Sequence, residues 1–288
     1  MRQATLCGLY ILIMLAGCNG LISERSDQET TVTPAPVPTT DQFAPGVASG
    51  GVSNLSALET AHYSRLQNTS HTSRFRSVVT AANGTVVSER RTTTQVAAQR
   101  VYRVRHLNGS SPLEESPFVP LVVRSELWAV DERGLFARTL ANGTTVYLST
   151  PAENSPLYEN LRSQPGSDSI QLLEPSATRM ADRVLEDGRS LYRLQASELD
   201  QDELLRRYGT KANNSSLTAF VTPQGVITRL NWRYEITLED TTYLVERSLR
   251  YTKVGNTTLS RPSWYDEALN ATSATNKSAS QRRERELR

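Results

Sequence analysis

The sequence predicts an α+β, β-dominated fold: one large antiparallel meander sheet covered on one face by a few helices. Three observations predict it. First, successive apolar-rich runs each end in a turn signal, at Asn83-Gly84, Asn108-Gly109, Arg133-Gly134 and Asn142-Gly143, the punctuation of hairpin-linked strands. Second, Leu230, Trp232, Tyr234, Ile236 and Leu238 alternate with Arg229, Asn231, Arg233, Glu235, Thr237 and Glu239. That period of two gives a strand one buried and one wet face. Third, the segments between these groups have helical character, and a one-sided sheet needs such a cover.

The elements follow in chain order. Residues 1–17 carry Arg2, then an apolar run from Ala4 to Met14 broken only by Thr5 and Gly8, then Ala16 and Gly17. The run is too short to span a bilayer, which takes about 20 residues, and it fits the core of a secretory signal peptide. Leu15-Ala16-Gly17-Cys18 resembles the lipobox of exported lipoproteins. The resemblance implies that Cys18 becomes a lipidated N-terminus, with the protein held at the outer face of the cytoplasmic membrane or cell surface. Stable anchoring generally takes two acyl chains, which a diacylglyceryl group on Cys18 would supply. Residues 18–52 read as a tether, because Thr30 to Thr40 is rich in Thr and Pro and such a composition stays extended. It is either a plain spacer or an O-glycosylated stalk.

A single domain is expected over residues 53–269. It opens with a helix, since Ser56-Ala57-Leu58-Glu59 has the form of a capping box and Leu55, Leu58, His62 and Leu66 share one face. Strands are expected at 75–81, 85–91, 99–106, 121–130, 135–140 and 145–149. Helical character falls at Pro156–Leu161, Ser169–Met180 and Ser197–Tyr208. The alternating strand from Arg229 and its partner through Tyr243, Val245, Leu249 and Tyr251 close the sheet, which should hold roughly eight to eleven strands. Residues 270–288 read as a charged tail ending in Arg282-Arg283-Glu284-Arg285-Glu286-Leu287-Arg288, either solvated or resting on anionic headgroups.

Composition excludes several function classes. The only cysteines are Cys7 and Cys18, so after processing no disulfide, thiolate metal site or cysteine nucleophile remains. The chain carries a net charge of +2. The signal and tail hold that excess, leaving a near-neutral body with no basic field for nucleic acid. No nucleotide loop, nucleophile elbow or dinucleotide fingerprint occurs. His62, His71 and His106 lack metal-ligand spacing: His62 sits on the apolar stripe and is expected to be packed, whereas His71 and His106 lie near turns and are expected to be solvated. The adjacent carboxylates Glu114-Glu115 and Glu239-Asp240 should point apart into water. No catalytic residue, metal or cofactor is assigned, and the chain is not expected to be an enzyme.

Two sets of residues remain as candidates. Trp128, Phe136, Tyr147, Phe220, Trp232, Tyr234 and Trp264 are candidates to line an apolar cavity between sheet and helices, the alternative being an ordinary filled core. Asn54, Asn68, Asn83, Asn108, Asn142, Asn213, Asn214, Asn256, Asn270 and Asn276 each stand in an Asn-X-Ser/Thr triplet, the acceptor pattern for N-glycans.

The lipobox, Thr/Pro tether, short helix, long meander and closing segment from Val254 to Trp264 together resemble the surface lipoproteins of halophilic archaea, although this near-neutral body departs from their strongly acidic composition. More distantly the layout is similar to the LolA/LppX-type lipoprotein carriers, whose half-open barrel covered by helices holds acyl chains. The resemblance implies a lipid-anchored extracytoplasmic protein that binds or carries a lipid or other apolar ligand. The competing expectation is a glycosylated structural or interaction module with an envelope protein partner.

Overall fold

The computed structural model describes residues 42–97, 100–110, 112, 122–130, 133–150, 167–173, 178–198, 212–238 and 240–273. Cys18, Glu114, Glu115, Pro156–Leu161, Glu239, most of Ser197–Tyr208 and Asn276 lie outside the described residues.

Three short strands, β1 (Gln42–Ala44), β2 (Val47–Ala48) and β3 (Gly51–Val52), form a small antiparallel sheet. Helix α1 (Leu55–Gln67) follows. Then come β4 (His71–Ala81), β5 (Val86–Ala97), β6 (Arg100–Gly109), β7 (Val122–Val130), β8 (Arg133–Leu140) and β9 (Thr145–Thr150). A single helical turn α2 (Ser167–Ile170) precedes β10 (Arg179–Glu186), β11 (Arg189–Ala196), β12 (Ala212–Val221), β13 (Ile227–Leu238) and β14 (Thr241–Thr252). Residues 265–273 are helical.

Strands β4 to β14 make one 11-stranded antiparallel sheet in the order β10-β11-β12-β13-β14-β4-β5-β6-β7-β8-β9. The chain therefore meanders outward from β4 to β9, starts again at the opposite edge with β10, and meanders back until β14 pairs with β4. Register carries one face across the whole sheet. Leu217, Trp232, Arg247, Ser77 and Arg90 lie in one row, and Tyr251, Ser73, Thr94, Arg103, Leu127, Phe136 and Leu148 in another. This is the inner face, on which α1 packs.

Residues of β10 to β14 and β4 bury the main core against α1 and the small sheet, with Leu58, Leu66, Leu230, Tyr234 and Ile236 fully buried. The Ile227 N–H donates to His62 Nδ1 at 3.1 Å, tying α1 to the start of β13. Gly225 (φ +81) makes that approach possible: a Cβ there would meet the Ala61 Cβ at 2.7 Å, and the turn needs a positive φ that only glycine adopts without strain.

Several expectations change. The folded domain reaches back before the expected start at residue 53, to Gln42, because Ala44, Val47 and Val52 are buried in the core cluster. The N-cap of α1 is Asn54, whose side chain accepts from the Ala57 N–H at 3.0 Å, and not Ser56; Asn is as good a cap as Ser and stands where the extended chain enters the helix. Of the helix expected over Ser169–Met180, Ser169 and Ile170 lie in α2, and Arg179 and Met180 belong to β10. Strands β10, β11 and β12 occupy residues 179–186, 189–196 and 212–221. Among the described residues, cover on the inner face comes from α1 and the small sheet. The C-terminal boundary also moves, since residues 270–273 continue the last helix and Thr272 is buried. At Asn83-Gly84 and Asn142-Gly143 only the glycine takes a positive φ. Each asparagine Oδ1 instead accepts the backbone N–H of Thr85 or Thr144 at 3.0 Å.

Candidate functional site

Alternation decides where the aromatic candidates point. Trp232 and Tyr234 sit on the inner face within the main core. Phe136 also faces inward, but in a different place: it packs on a second cluster of Val96, Val101, Leu127 and Ala129 on strands β5 to β8. Phe220 pairs with Arg229 and lies on the outer face, beneath that guanidinium at 4.8 Å. Trp128, Tyr147 and Trp264 meet on the outer face of the other half. The seven positions thus fall into separate groups and share no single wall. Their recurrence in sequence ignores parity, and one residue of offset sends a side chain to the opposite face.

The outer-face group is an aromatic clamp around Glu126. After β14 the chain crosses the outer face, where the Thr257 and Thr72 hydroxyls are 2.9 Å apart. Trp264 then donates its indole N–H to Glu126 Oε2 at 3.1 Å, and the Tyr102 hydroxyl donates to the same oxygen. Arg124 pairs with Glu126 Oε1 at 2.9 Å. Tyr147 stacks on Trp264 with centroids 6.4 Å apart and donates to Glu267 at 2.9 Å, while Tyr265 meets Trp128 edge-on at 6.5 Å. Burial works to raise the Glu126 carboxyl, but hydrogen bonds from Tyr102, Trp264 and Arg124 outweigh it and hold the group below its usual value. Burial, reinforced by Glu126, pushes the Tyr102 phenol up to about 12. Tyr102, Glu126, Tyr265 and Glu267 were not among the sequence candidates. The parity of β6 and β7, with Tyr102 opposite Trp128, is the signal that could have found the first two.

Charge separates the faces. Within β4–β9 and β12–β14 the acidic residues are Glu89, Glu126, Glu235 and Glu246, and register puts all of them on the outer face. Three arginines there pair with carboxylates: Arg76 and Arg91 bond Glu89 at 2.7 and 2.9 Å, and Arg229 bonds Glu186 at 2.5 Å. The inner face carries Arg90, Arg103, Arg105, Arg138 and Arg247 instead. Arg90 lies over Phe75 at 5.4 Å, Arg138 over Phe136 at 5.6 Å and Arg247 over Tyr234 at 5.7 Å. Arg103 donates to the Thr94 hydroxyl at 3.2 Å. Burial, with Arg105 beside it, pulls the Arg103 guanidinium down to about 10.

Depressions among the described residues open on the sheet. One of about 350 Å³ is lined by Arg76, Asn231, Arg233, Glu246 and Ser248 among others, and one of about 300 Å³ by Glu186, Arg229, Arg250 and Tyr251 among others. Among the described residues no group of three or more His, Cys, Asp or Glu gathers to hold a metal. His71, expected to be solvated, is fully buried at the start of β4, where it pairs with Val96 of β5, stands 5.9 Å from the Tyr251 ring, and Nδ1 meets the Thr69 carbonyl at 3.0 Å. His62 is fully buried and His106 is exposed. Asp240 sits exposed in the β13–β14 turn with φ 64. The asparagines at 54, 68, 83, 108, 142, 213, 214, 256 and 270 are all exposed.

Among the described residues no helix is long and apolar enough to cross a membrane. No protein-family model matches the chain, and no curated protein does. Among solved structures it is similar to a DUF1329 family protein from Desulfovibrio piger, at 11% identity and TM-score 0.25 over 73% of this chain and 96% of that one. It is also similar to a chain of the Pseudomonas aeruginosa MucA/MucB complex, at 14% identity and TM-score 0.31 over 74% of this chain and 60% of that one. A chain of the MucB complex with MucA(peri) matches at 13% identity and TM-score 0.28 over 73% of this chain and 65% of that one.

Proposed function

We propose that this chain is a lipid-anchored extracytoplasmic binding protein. It holds an apolar or amphipathic ligand, a lipid by class, on the inner face of β5–β8. The observation that carries this reading is the second apolar cluster. Val96, Val101, Leu127, Ala129 and Phe136 form a patch separate from the main core under α1. An apolar cluster buried apart from the folding core, with Val101 0% and Leu127 3% exposed, supports an enclosed ligand site there. Cys18 supplies the anchor, through the lipobox Leu15-Ala16-Gly17-Cys18, and binding without catalysis is the activity proposed.

Organic extraction of the full-length protein purified from its membrane, followed by mass spectrometry, tests the ligand. A lipid recovered in near-stoichiometric amount is expected, and protein that is consistently empty would overturn the reading. Cys18→Ser is expected to move the protein out of the membrane fraction; unchanged fractionation would remove the anchor.

A second reading, a glycosylated interaction module that works through an envelope protein partner, is favoured by the exposure of every described sequon asparagine. Intact-mass measurement before and after enzymatic deglycosylation separates it, because an unmodified chain would leave that reading without support.

A further inference from the structure

We propose that the outer-face depression beside the β10–β11 turn and the end of β14 binds a phosphate group, its oxygens held by Arg189, Arg250 and Lys253. The site lies on the other face of the sheet from the apolar ligand proposed above and does not depend on it. Register provides the first argument. Arg229 of β13 stands directly opposite Arg250 of β14, and Arg250 stands directly opposite Arg74 of β4. Three arginines therefore follow one another in a single cross-strand row. Like charges in directly opposed positions weaken a sheet. Four other arginines of the outer face each reach a carboxylate: Arg76 and Arg91 meet Glu89, Arg124 meets Glu126 and Arg193 meets Asp182. In the row of three, Arg229 and Arg250 share one carboxylate, Glu186, at 2.5 and 3.6 Å. Arg74 donates to the neutral Thr252 hydroxyl at 3.0 Å.

The cavity provides the second. A depression of about 300 Å³ opens at this row, and its charged lining is Glu186, Asp187, Arg189, Arg229, Arg250 and Lys253. Four cations there face two carboxylates. Glu186 is already engaged, and Arg229 is held over the Phe220 ring at 4.8 Å. Arg189 stands opposite Glu186 in register. Among the described residues neither Arg189 nor Lys253 pairs with a carboxylate. The Lys253 backbone is fixed, because its carbonyl accepts the Asn256 N–H at 2.9 Å and the Thr257 hydroxyl at 3.1 Å. Buried Leu191 also lines the cavity and lowers the local dielectric, which strengthens attraction for an anion. The surplus of two positive charges matches a phosphate, which carries nearly two negative charges at pH 7, better than a single carboxylate. The planar guanidinium fits phosphate oxygens through two parallel bonds, and lysine adds a point charge.

The test titrates the full-length protein, purified in a neutral detergent at low salt, with two probes that carry the same group. One is inorganic phosphate and the other is dihexanoyl phosphatidic acid, a lipid short enough to stay in solution. Calorimetry reads the affinity. Saturable binding that weakens as sodium chloride rises is expected. Phosphatidic acid bound about tenfold tighter or more would identify a lipid headgroup as the source, and comparable binding of the two would identify free phosphate; either result supports the site. Arg189→Gln and Lys253→Gln should each weaken binding about tenfold, the loss of one charge-assisted bond. Asp187→Asn should tighten it by removing a carboxylate from the lining. Arg76→Gln, which changes an outer-face arginine paired with Glu89, should leave it nearly unchanged. No saturable binding of either probe at millimolar concentration would overturn the proposal. Binding that the changes at 187, 189 and 253 all leave unaltered would overturn it too, by placing the anion elsewhere. Should Lys253→Gln fail to fold, since Lys253 stands at φ 52, Arg189→Gln and Asp187→Asn carry the same decision.

Discussion

The two halves of the sheet are covered on opposite faces and by opposite chemistry. Strands β10–β14 with β4 receive α1 and the small sheet on the inner face, through leucines, valines, Trp232 and Tyr234 in continuous apolar contact. Strands β5–β9 receive the C-terminal segment on the outer face, through Trp264, Tyr265 and Glu267 arranged around Glu126, Tyr102 and Tyr147. The first cover is held by area removed from water, which is non-directional and tolerant of small shifts. The second is held by directed bonds on one carboxylate, where geometry and charge decide the outcome. The difference assigns the two halves different tasks. The α1 half is the folding core. The clamped half is fixed from the outer face, and its inner face carries a second, separate buried apolar cluster.

Packing gives the largest effect through which this contrast can be broken. Leu58 is fully buried between α1 and the sheet. Leu58→Ala should cost about 4 kcal/mol, the transfer of the lost methylenes plus the cavity they leave. Val101→Ala in the second cluster removes two methyls and should cost roughly 1–2 kcal/mol. Urea unfolding measures both. Equal losses would mean that the second cluster is as much a part of the core as the first.

Acid sharpens the contrast, because the halves should respond in different pH windows. Burial, with His71 adding charge repulsion, lowers His62 from 6.5 to about 3, and burial lowers His71 as well. The unfolded chain takes up these protons below pH 6.5 and the folded one does not. The stability contributed by the neutral imidazoles is therefore complete above pH 6.5 and lost as pH falls toward 3, reaching on the order of 3 kcal/mol by pH 4 for His62 alone. Glu126 is held below its usual value, so the clamp keeps its contribution above about pH 4.5 and loses it only on further acidification. Hydrogen exchange at pH 7, 5.5 and 4, corrected for intrinsic rates, should show α1 loosening before residues 257–273. The reverse order would sink this account. His62→Gln should flatten the stability profile between pH 6.5 and 4.

Charge removal at the clamp comes next in size. Glu126→Gln deletes the carboxylate on which Tyr102, Trp264 and Arg124 converge, and should cost about 2 kcal/mol. The loss should appear as faster exchange in residues 257–273 with protection of α1 unchanged. Uniform acceleration over both halves would show that the clamp and the core unfold as one unit.

Sequence made the late hairpin, the β4–β9 meander and α1 legible, because each carries a clean period or a turn signal. It concealed β10 and β12. Arg179 to Glu186 places Met, Ala, Leu and Glu among charges on an edge strand with no fully buried position, so no period of two stands out and the expected helix ran on into its first two residues. Asp187-Gly188, with φ 50 and 73, was a readable hairpin turn that would have revealed β10 and β11. In β12 the run Asn213-Asn214-Ser215-Ser216 reads as a turn and forms a bulge, with Asn214 at φ 48. The small sheet was hidden because β1, β2 and β3 run only two or three residues each, below any periodic signal. For the site, aromatic identity was visible but face was not. Register across β6, β7 and β8 joins Arg103, Leu127 and Phe136, and register is a property of pairing that no single strand contains.

The smallest effect isolates one bond of the clamp. Trp264→Phe keeps an aromatic ring over Tyr147, whose stacking is geometric, and removes only the N–H that reaches Glu126 at 3.1 Å. The carboxylate retains Tyr102 and Arg124, so it is not left unsatisfied, and the cost should be about 1 kcal/mol, that of one net hydrogen bond. If the clamp is a set of directed bonds on Glu126, Trp264→Phe combined with Glu126→Gln should cost less than the two singly, since the second change has already weakened the acceptor of the first. Strict additivity in that double-mutant cycle would mean that Trp264 holds the C-terminal segment by apolar contact alone. The two covers of the sheet would then differ in face but not in chemistry.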